Sequence, residues 1–217
     1  MVERRPLRDG SAAGNVQLFL TGPYGMRTDP SPSSVVILSC SLNPSSRSHK
    51  LALAAQAFLR AREVSVELVV LAEHDLPLCD GTGSFDHPSV KTLTGIIDAA
   101  GAILVSSPVY NYDLSAAAKN LMELTGSAWT EKPVGFLCAG GGRASYMSPI
   151  GFANSLMFDF RCLIVPRFVY CTKDDFTEAD EPGPKIQERV EQLAADAIDL
   201  SHALAWVREN KGAVAAP

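Results

Sequence analysis

The chain has 217 residues, of which 47% are hydrophobic and 20% are charged, and these proportions are typical of a globular protein with one core. A net charge of −5 and a pI near 5.4 argue against a nucleic-acid partner. No apolar run has the length of a membrane span, and the run at 16–20 is too short for a signal peptide, so we expect neither membrane insertion nor export.

The two ends of the chain differ in pattern from its middle. Residues 1–33 are rich in Gly, Pro, Ser and Arg, and we predict an N-terminal extension there, either mobile or serving as an arm in an oligomer. Regular patterning runs from residue 34 to residue 210, and residues 211–217 are predicted to fray. The sequence therefore predicts one domain between two terminal segments.

Within that domain, short apolar runs rich in β-branched residues alternate with helical patterns. Runs of this kind predict strands that are buried on both faces. The five predicted strands are 35–38, 67–71, 102–105, 134–139 and 163–165.

Five helical patterns separate or follow these strands, four of them with a clear apolar face and one, at 150–160, more apolar throughout. The four faces are Leu51, Ala54, Ala55, Phe58 and Leu59; Val90, Leu93, Ile97 and Ala100; Leu114, Ala117, Ala118, Leu121 and Leu124; and Ile186, Val190, Leu193, Ala197, Leu200 and Leu204. Alternating strands and helices predict an α/β fold, a doubly wound five-stranded parallel sheet with helices on both faces. Ligands of such sheets bind where the strands end, and three loops in this chain occupy such ends.

The first loop, 39–48, joins a strand to a helix and carries several polar side chains. These are Ser41, Asn43, Ser45, Ser46, Arg47 and Ser48. Free N–H groups and partial positive charge at a helix start favour an anion, and the hydroxyls and the guanidinium add donors. A simple helix cap would explain only one of the hydroxyls. The loop lacks the glycine patterns of triphosphate and dinucleotide sites, so a phosphate monoester fits it best.

The second loop, 106–113, reads Ser-Ser-Pro-Val-Tyr-Asn-Tyr-Asp. Pro108 restrains the backbone, whose N–H and C=O groups can then pair with the edge of a planar heterocycle. Tyr110 offers a ring face and a hydroxyl, and Asn111 offers donors and an acceptor. The alternative is a turn that ends the strand, with Asp113 capping the next helix.

The third loop, 139–143, contains Gly140, Gly141 and Gly142, which would let the backbone approach a ligand closely. A flexible turn is an equal alternative. Arg143 could bind a second anionic substrate, such as a nucleotide phosphate, or be a solvated surface charge.

Five cysteines, without a Cys-x-x-Cys pair, indicate a reducing compartment, and we expect a cytoplasmic protein. Cys40 and Cys138, at strand ends, are predicted to be small buried thiols, and a Cys162–Cys171 disulfide is disfavoured. Cys40 lacks the Cys-x5-Arg spacing of phosphatases, which makes a hydrolase the least favoured function. The four histidines show no metal-binding spacing, so no metal is expected.

The three loops, in this order, resemble those of the NAD(P)H-dependent FMN reductase family of flavodoxin-like proteins. The family's first motif, commonly Gly-Ser-x-Arg-x-x-Ser, corresponds to residues 40–46, where Cys40 replaces the glycine and Asn43 the arginine, while Ser41 and Ser46 are retained. The runs 46–48, 85–92 and 108–110 are similar to those of alkanesulfonate-utilisation FMN reductases, and Ser115-x-x-x-Lys119 also fits the family. The similarity covers about residues 35–205.

The resemblance implies a flavodoxin-like FMN-binding domain at 34–210 that uses FMN and NAD(P)H, with hydride passing from nicotinamide to flavin N5 and no catalytic side chain. Three sets of residues would bind FMN: Ser41, Asn43, Ser46, Arg47 and Ser48 at the phosphate; Pro108, Val109, Tyr110 and Asn111 along the ribityl chain and isoalloxazine; and Gly140, Gly141 and Gly142 at the ring. Because Asn43 stands in place of an arginine, Arg47 would supply the charge alone.

Several alternatives stay open on the sequence. The family also contains quinone, azo-dye and chromate reductases, so the acceptor could be a flavin or a quinone-like small molecule, and a non-enzymatic flavodoxin-like electron carrier is a further possibility. The resemblance also implies a homodimer or homotetramer, with Leu114, Leu121 and Leu124 near the interface. The same leucines could instead face the sheet.

Overall fold

The computed structural model describes the backbone of residues 31–210, with side chains from residue 34. The predicted N-terminal extension lies outside the described residues, apart from the backbone of residues 31–33, which already belongs to the first strand. The predicted fraying of 211–217 also lies outside them. None of the helices in the described part of the chain is long and apolar enough to cross a membrane.

Seven strands form one sheet in the described residues. They are β1 (Ser31–Ser39), β2 (Ser65–Val70), β3 (Ala100–Tyr110), β4 (Asp113–Leu114), β5 (Pro133–Ala139), β6 (Leu163–Ile164) and β7 (Val169–Cys171). The order is β2-β1-β3-β5-β6, all parallel; β7 also pairs with β5 in parallel, and β4 pairs with β3 in antiparallel fashion. The predicted doubly wound α/β fold is confirmed.

The predicted fifth strand differs from the observed one. Only Leu163 and Ile164 form β6, against the beginning of β5, and β7 then pairs with the end of β5. Pro166 has no N–H to donate, and Arg167 has a left-handed φ of 59°, so the chain leaves the sheet before returning. One sheet position is therefore filled by two short pieces.

All five predicted helices are present: α1 (Arg47–Ala61), α2 (Pro88–Ala99), α3 (Ala116–Thr125), α4 (Pro149–Phe160) and α5 (Pro184–Glu209). Two residues assigned to helical faces belong to strands instead, since Ala100 begins β3 and Leu114 lies in β4. Leu114, Leu121 and Leu124 are all buried within the chain, so they face its own core rather than a second copy.

The core has two layers, one on each side of the sheet. Val36 and Leu38 of β1 point into the layer under α2, α3 and α4, whereas Val35 and Ile37 point into the layer under α1 and α5. Both faces of the central strands are thus covered, which explains why their sequences are apolar without alternation.

The strand order reverses between β1 and β3, and this reversal positions the site. The chain runs from β1 out to β2 and then crosses to β3 on the other side of β1. In the register, Ser39 lies beside Ser106, and Ser107 lies beside Cys138. The loops that follow β1, β3 and β5 therefore start at the same edge of the sheet, as expected of a ligand site in this architecture.

Candidate functional site

Direct hydrogen bonds join the first two loops at this edge. The N–H of Cys40 donates to the carbonyl of Ser106 at 2.7 Å, which extends the β1–β3 ladder past the end of β1. The hydroxyl of Ser115, at the start of α3, donates to the carbonyl of Cys40 at 2.9 Å. Backbone groups and a buried hydroxyl thus fix the positions of the first two loops relative to each other.

The start of α1 has the donor set of an anion site. Ser46 is its N-cap, and its hydroxyl accepts a hydrogen bond from the N–H of His49 at 3.1 Å. The N–H of Lys50 makes the first bond of the helix, to the carbonyl of Ser46, so the N–H groups of Arg47 and Ser48 precede it. The first turn contains no acidic residue. A phosphate monoester such as that of FMN fits this arrangement of donors and helix dipole.

The other polar residues of the first loop mainly shape its backbone. Ser41 is buried, and its hydroxyl accepts from the N–H of Asn43 at 3.1 Å. The Asn43 amide oxygen accepts from the N–H of Ser45 at 3.0 Å. Ser48 is fully buried, with its hydroxyl 3.1 Å from that of Ser46. These side chains hold the turn. The N–H groups of Arg47 and Ser48 and the partly exposed Ser46 hydroxyl are then among the donors that an anion can meet.

Arg47, the predicted source of positive charge, is engaged elsewhere in the fold. Its Nε and Nη2 lie 3.0 Å and 2.9 Å from Oδ1 of Asp180, and its guanidinium lies 5.5 Å from the centre of the Phe176 ring. Lys50, one turn further along α1, places its Nζ 3.0 Å from Oδ2 of the same carboxylate. The pKa of Asp180 is lowered, chiefly by the hydrogen bond from Lys50 and also by that from Arg47.

Ser106 and Ser107, predicted to lie in the second loop but without a role there, belong to β3 and form a second set of contacts behind the loops. The Ser106 hydroxyl donates to the carbonyl of Ser48 at 2.5 Å and so ties β3 to the start of α1. The Ser107 hydroxyl accepts from the N–H of Ser115 at 3.0 Å. The signal was present, because two serines interrupt an otherwise apolar buried strand.

The second loop is a tight hairpin. β3 continues to Tyr110, and β4 returns beside it, with Val109 opposite Leu114. Asn111 and Tyr112 both have positive φ, at 50° and 64°, the combination of a type I′ turn.

The four residues of this hairpin that were predicted to line the ligand differ in exposure. Pro108 and Val109 are buried, whereas Tyr110 and Asn111 are exposed at the tip. Asp113 is not the cap of the next helix; Ser115 is, and its hydroxyl accepts from the N–H of Ala118.

Tyr170 packs against the third loop and holds it by a hydrogen bond. A Cβ added to Gly140 would lie 2.0 Å from the Tyr170 hydroxyl, so glycine is needed there because of a protein side chain. That hydroxyl donates to the carbonyl of Gly142 at 2.5 Å and lies 3.0 Å from the Ser145 hydroxyl. Nothing lies within 4 Å of a Cβ built on Gly141 or Gly142, which leaves those two positions open to a ligand.

Arg143 follows the glycines and pairs with Asp175 at 3.1 Å. Asp175 also accepts from the N–H of Thr172 at 2.8 Å and from its hydroxyl at 3.1 Å. Partial burial would raise the pKa of Asp175, but the hydrogen bonds from Thr172 and Arg143 outweigh it, and the pKa is lowered. The segment after β7 thus supplies a carboxylate to the first loop, through Asp180, and another to the third.

Cys40 lies at the edge but is almost completely buried, and burial raises its pKa to about 12. A thiol with that pKa has almost no thiolate at neutral pH, which argues against its use as a nucleophile. All five cysteines of the chain are free, including Cys162 and Cys171.

Two surface grooves lie away from this edge. One, of about 530 Å³, lies between α3 and α4, and the other, of about 540 Å³, lies beside the opposite ends of β1, β2 and β3. None of the twelve residues predicted to contact the cofactor lines either groove.

Comparisons with known proteins identify the family of the chain. A family model described as NADPH-dependent FMN reductase matches residues 33–175. An NAD(P)H-dependent FAD/FMN reductase of Geobacillus thermodenitrificans is 27% identical over 146 residues, which is 65% of this chain and 78% of that protein. An NADPH azoreductase of a Bacillus species is 28% identical over 134 residues, 59% of this chain and 75% of the relative.

Among solved structures, a flavodoxin from the domain Archaea superposes with a TM-score of 0.56 at 14% identity, covering 78% of this chain and 98% of the flavodoxin. At that identity the likeness concerns the fold, and it confirms that the α/β sheet is flavodoxin-like.

Proposed function

Because the chain belongs to the NADPH-dependent FMN reductase family, we propose that it binds FMN across the three loops and passes a hydride to it from NAD(P)H. The protein is an NAD(P)H:FMN oxidoreductase of the flavodoxin-like class. The observation that supports this site best is the common edge at which the loops after β1, β3 and β5 begin, the first of which leads into the start of α1.

Each loop would have its own part in holding FMN. The N–H groups at the start of α1, with Ser41, Asn43, Ser46 and Ser48 shaping the turn, would hold the phosphate. Pro108, Val109, Tyr110 and Asn111 would line the ribityl chain and the ring, and the open backbone at Gly141 and Gly142, next to Gly140, would approach the ring.

The protein's contribution to the chemistry is positioning and electrostatics. Bound flavin supplies the hydride acceptor, so no acid–base pair of side chains is required. The hairpin would hold rigid backbone groups beside a bound flavin ring, and donors fixed in this way would favour negative charge on that ring. The exposed Tyr110 at its tip offers a ring surface against which the substrates can align.

A titration of the purified chain with FMN, followed on the same sample by NADPH and NADH oxidation, tests this function. We expect saturable FMN binding and nicotinamide oxidation that depends on flavin. A protein that binds no FMN and oxidises neither nucleotide in its presence would contradict the proposal.

A second candidate is an azo-dye, quinone or chromate reductase that keeps FMN bound, and the Bacillus azoreductase relative favours it. Steady-state rates with an azo dye, a quinone and free FMN distinguish the two. A higher kcat/KM for the dye or the quinone than for FMN would support this alternative. A carrier without enzymatic activity would bind flavin but fail to oxidise either nucleotide.

We further propose a homodimer or homotetramer in the cytoplasm. The five free thiols fit a reducing compartment. The α3 leucines cannot form the interface, but Ile150, Met157 and Phe158 of α4 are exposed, Phe158 by 81%. Light scattering coupled to size-exclusion chromatography measures the mass; a monomer at micromolar concentration would contradict the assembly.

A further inference from the structure

Asp180 holds both cations of the first turns of α1. Its Oδ1 accepts from Nε and Nη2 of Arg47 at 3.0 Å and 2.9 Å, and its Oδ2 accepts from Nζ of Lys50 at 3.0 Å. Glu181, the next residue, has a carboxylate oxygen 3.9 Å from the same Nζ. Two cations therefore face two carboxylates, and the group adds no net charge to the start of the helix.

The backbone presents Asp180 to these cations independently of its side chain. The turn is closed by bonds from the N–H of Thr177 to the carbonyl of Glu181 at 2.8 Å and from the N–H of Asp180 to the carbonyl of Thr177 at 2.9 Å. Asp180 has a φ of 55°, in the left-handed region that asparagine adopts readily. An asparagine at this position therefore keeps the turn, removes the charge and replaces one of the two acceptor oxygens by a donor.

This arrangement has a consequence for a ligand that carries a phosphate. A phosphate at the start of α1 meets the helix N–H groups and the Ser46 hydroxyl, but Arg47 beside it is already neutralised. The Asp180 carboxylate also repels a dianion nearby. Binding energy from the phosphate is thereby reduced, whereas contacts to the ring and the ribityl chain are unaffected.

We propose that Asp180 is a specificity-determining residue which weakens recognition of the flavin phosphate, so that the phosphate adds less to the affinity than the start of α1 with an unpaired Arg47 would provide. This inference rests on the proposed function. It predicts that the ratio of the riboflavin to the FMN dissociation constant is smaller in the wild type than in a variant that lacks the Asp180 carboxylate.

The test is a set of dissociation constants for FMN and riboflavin, measured from the quenching of flavin fluorescence. Asp180→Asn is expected to bind FMN about three- to fivefold more tightly than the wild type, the size of effect expected for a partly exposed charge pair. Its affinity for riboflavin should not change. Glu181→Gln is the matched control, because it removes the same charge from the adjacent residue without touching Arg47, and its FMN affinity should change less than twofold.

The double variant Arg47→Ala/Asp180→Asn tests whether Arg47 is responsible for the tighter FMN binding of Asp180→Asn. If it is, the double variant should bind FMN no more tightly than the wild type. At 1 M salt the tighter FMN binding of Asp180→Asn should disappear, because the Debye screening length is then only about 3 Å. An unchanged or weaker affinity of Asp180→Asn for FMN, an equal gain for riboflavin, or an equal gain in Glu181→Gln would each overturn the inference. Absence of binding for both flavins in every variant would instead reject the proposed function itself.

Discussion

The Ser115 hydroxyl donates to the carbonyl of Cys40 across 75 positions of sequence, and at the same time it caps α3 by accepting from the N–H of Ala118. One buried hydroxyl thus fixes the end of the first loop relative to the hairpin of the second. Ser107 adds to this contact by accepting from the N–H of Ser115.

Ser115→Ala should lower the free energy of unfolding by about 2–3 kcal/mol, since it removes an N-cap and leaves the Cys40 carbonyl without this donor. Urea unfolding measures the loss. Ser155→Ala is the control, because Ser155 donates a single exposed bond to its own helix, and its effect should stay within about 0.5 kcal/mol. Equal effects of the two variants would contradict the role given to Ser115.

The common edge of the three loops could be predicted because parallel strands end together. Apolar runs located β1, β3 and β5, and the chain order of α/β units then placed Ser39, Ser106 and Ala139 near one another. The short pieces β6 and β7 could not be separated in advance, since the break at Pro166 depends on a left-handed residue that only the folded chain reveals.

The partner of Arg47 could not be predicted. The two residues of the Arg47–Asp180 pair lie 133 positions apart, and several acidic residues between 174 and 181 look equivalent in the sequence. Only the folded turn at 177–181 places Asp180, rather than one of the other acidic residues, against Arg47. For a similar reason, Gly140 suggested an approach by a ligand, whereas in the fold it makes room for Tyr170.

Gly140→Ala should destabilise the protein by about 1–3 kcal/mol, because its Cβ would fall 2.0 Å from the Tyr170 hydroxyl and would force that side chain or the loop to move. FMN affinity should fall in the same variant as the third loop shifts. Gly141→Ala is the control: nothing lies within 4 Å of its Cβ, and its stability should match the wild type. A stable Gly140→Ala protein would show that Tyr170 does not hold the loop.

Thiol reactivity should separate Cys79 from the other four cysteines. Cys79 is partly exposed, whereas Cys40, Cys138, Cys162 and Cys171 are buried. Burial also raises the pKa of Cys40 and of Cys171 to about 12. We expect a disulfide reagent such as Ellman's reagent to modify one thiol per native chain at pH 8 and five after denaturation.

Cys79→Ser should abolish this native reaction, and Cys40→Ser should leave it unchanged. Cys40→Ser should also retain flavin-dependent nicotinamide oxidation, because the thiol is not a nucleophile in the proposed reaction. Rapid labelling of Cys40 in the native protein, or loss of a phosphate-ester hydrolysis in Cys40→Ser, would revive the hydrolase alternative.

Asp175 should make stability depend on pH in the acid range. Its pKa is lowered in the folded protein, so its contribution is fully present above the unfolded-state pKa near 3.9 and is lost as the pH falls through the folded-state value. Asp175→Asn should lower the free energy of unfolding by about 1–2 kcal/mol at pH 7, since the carboxylate caps Thr172 and pairs with Arg143. The difference from the wild type should shrink below pH 4.

Urea unfolding at pH 7, 5, 4 and 3.5 measures that difference. Asp174→Asn is the matched control, because it removes the same charge from the exposed neighbouring residue, and its stability should follow the wild type at each pH. A gap between Asp175→Asn and the wild type that stayed constant from pH 7 to pH 3.5 would mean that the side chain stabilises the loop by its shape rather than by its charge. The Arg143 pair would then have no part in holding the third loop.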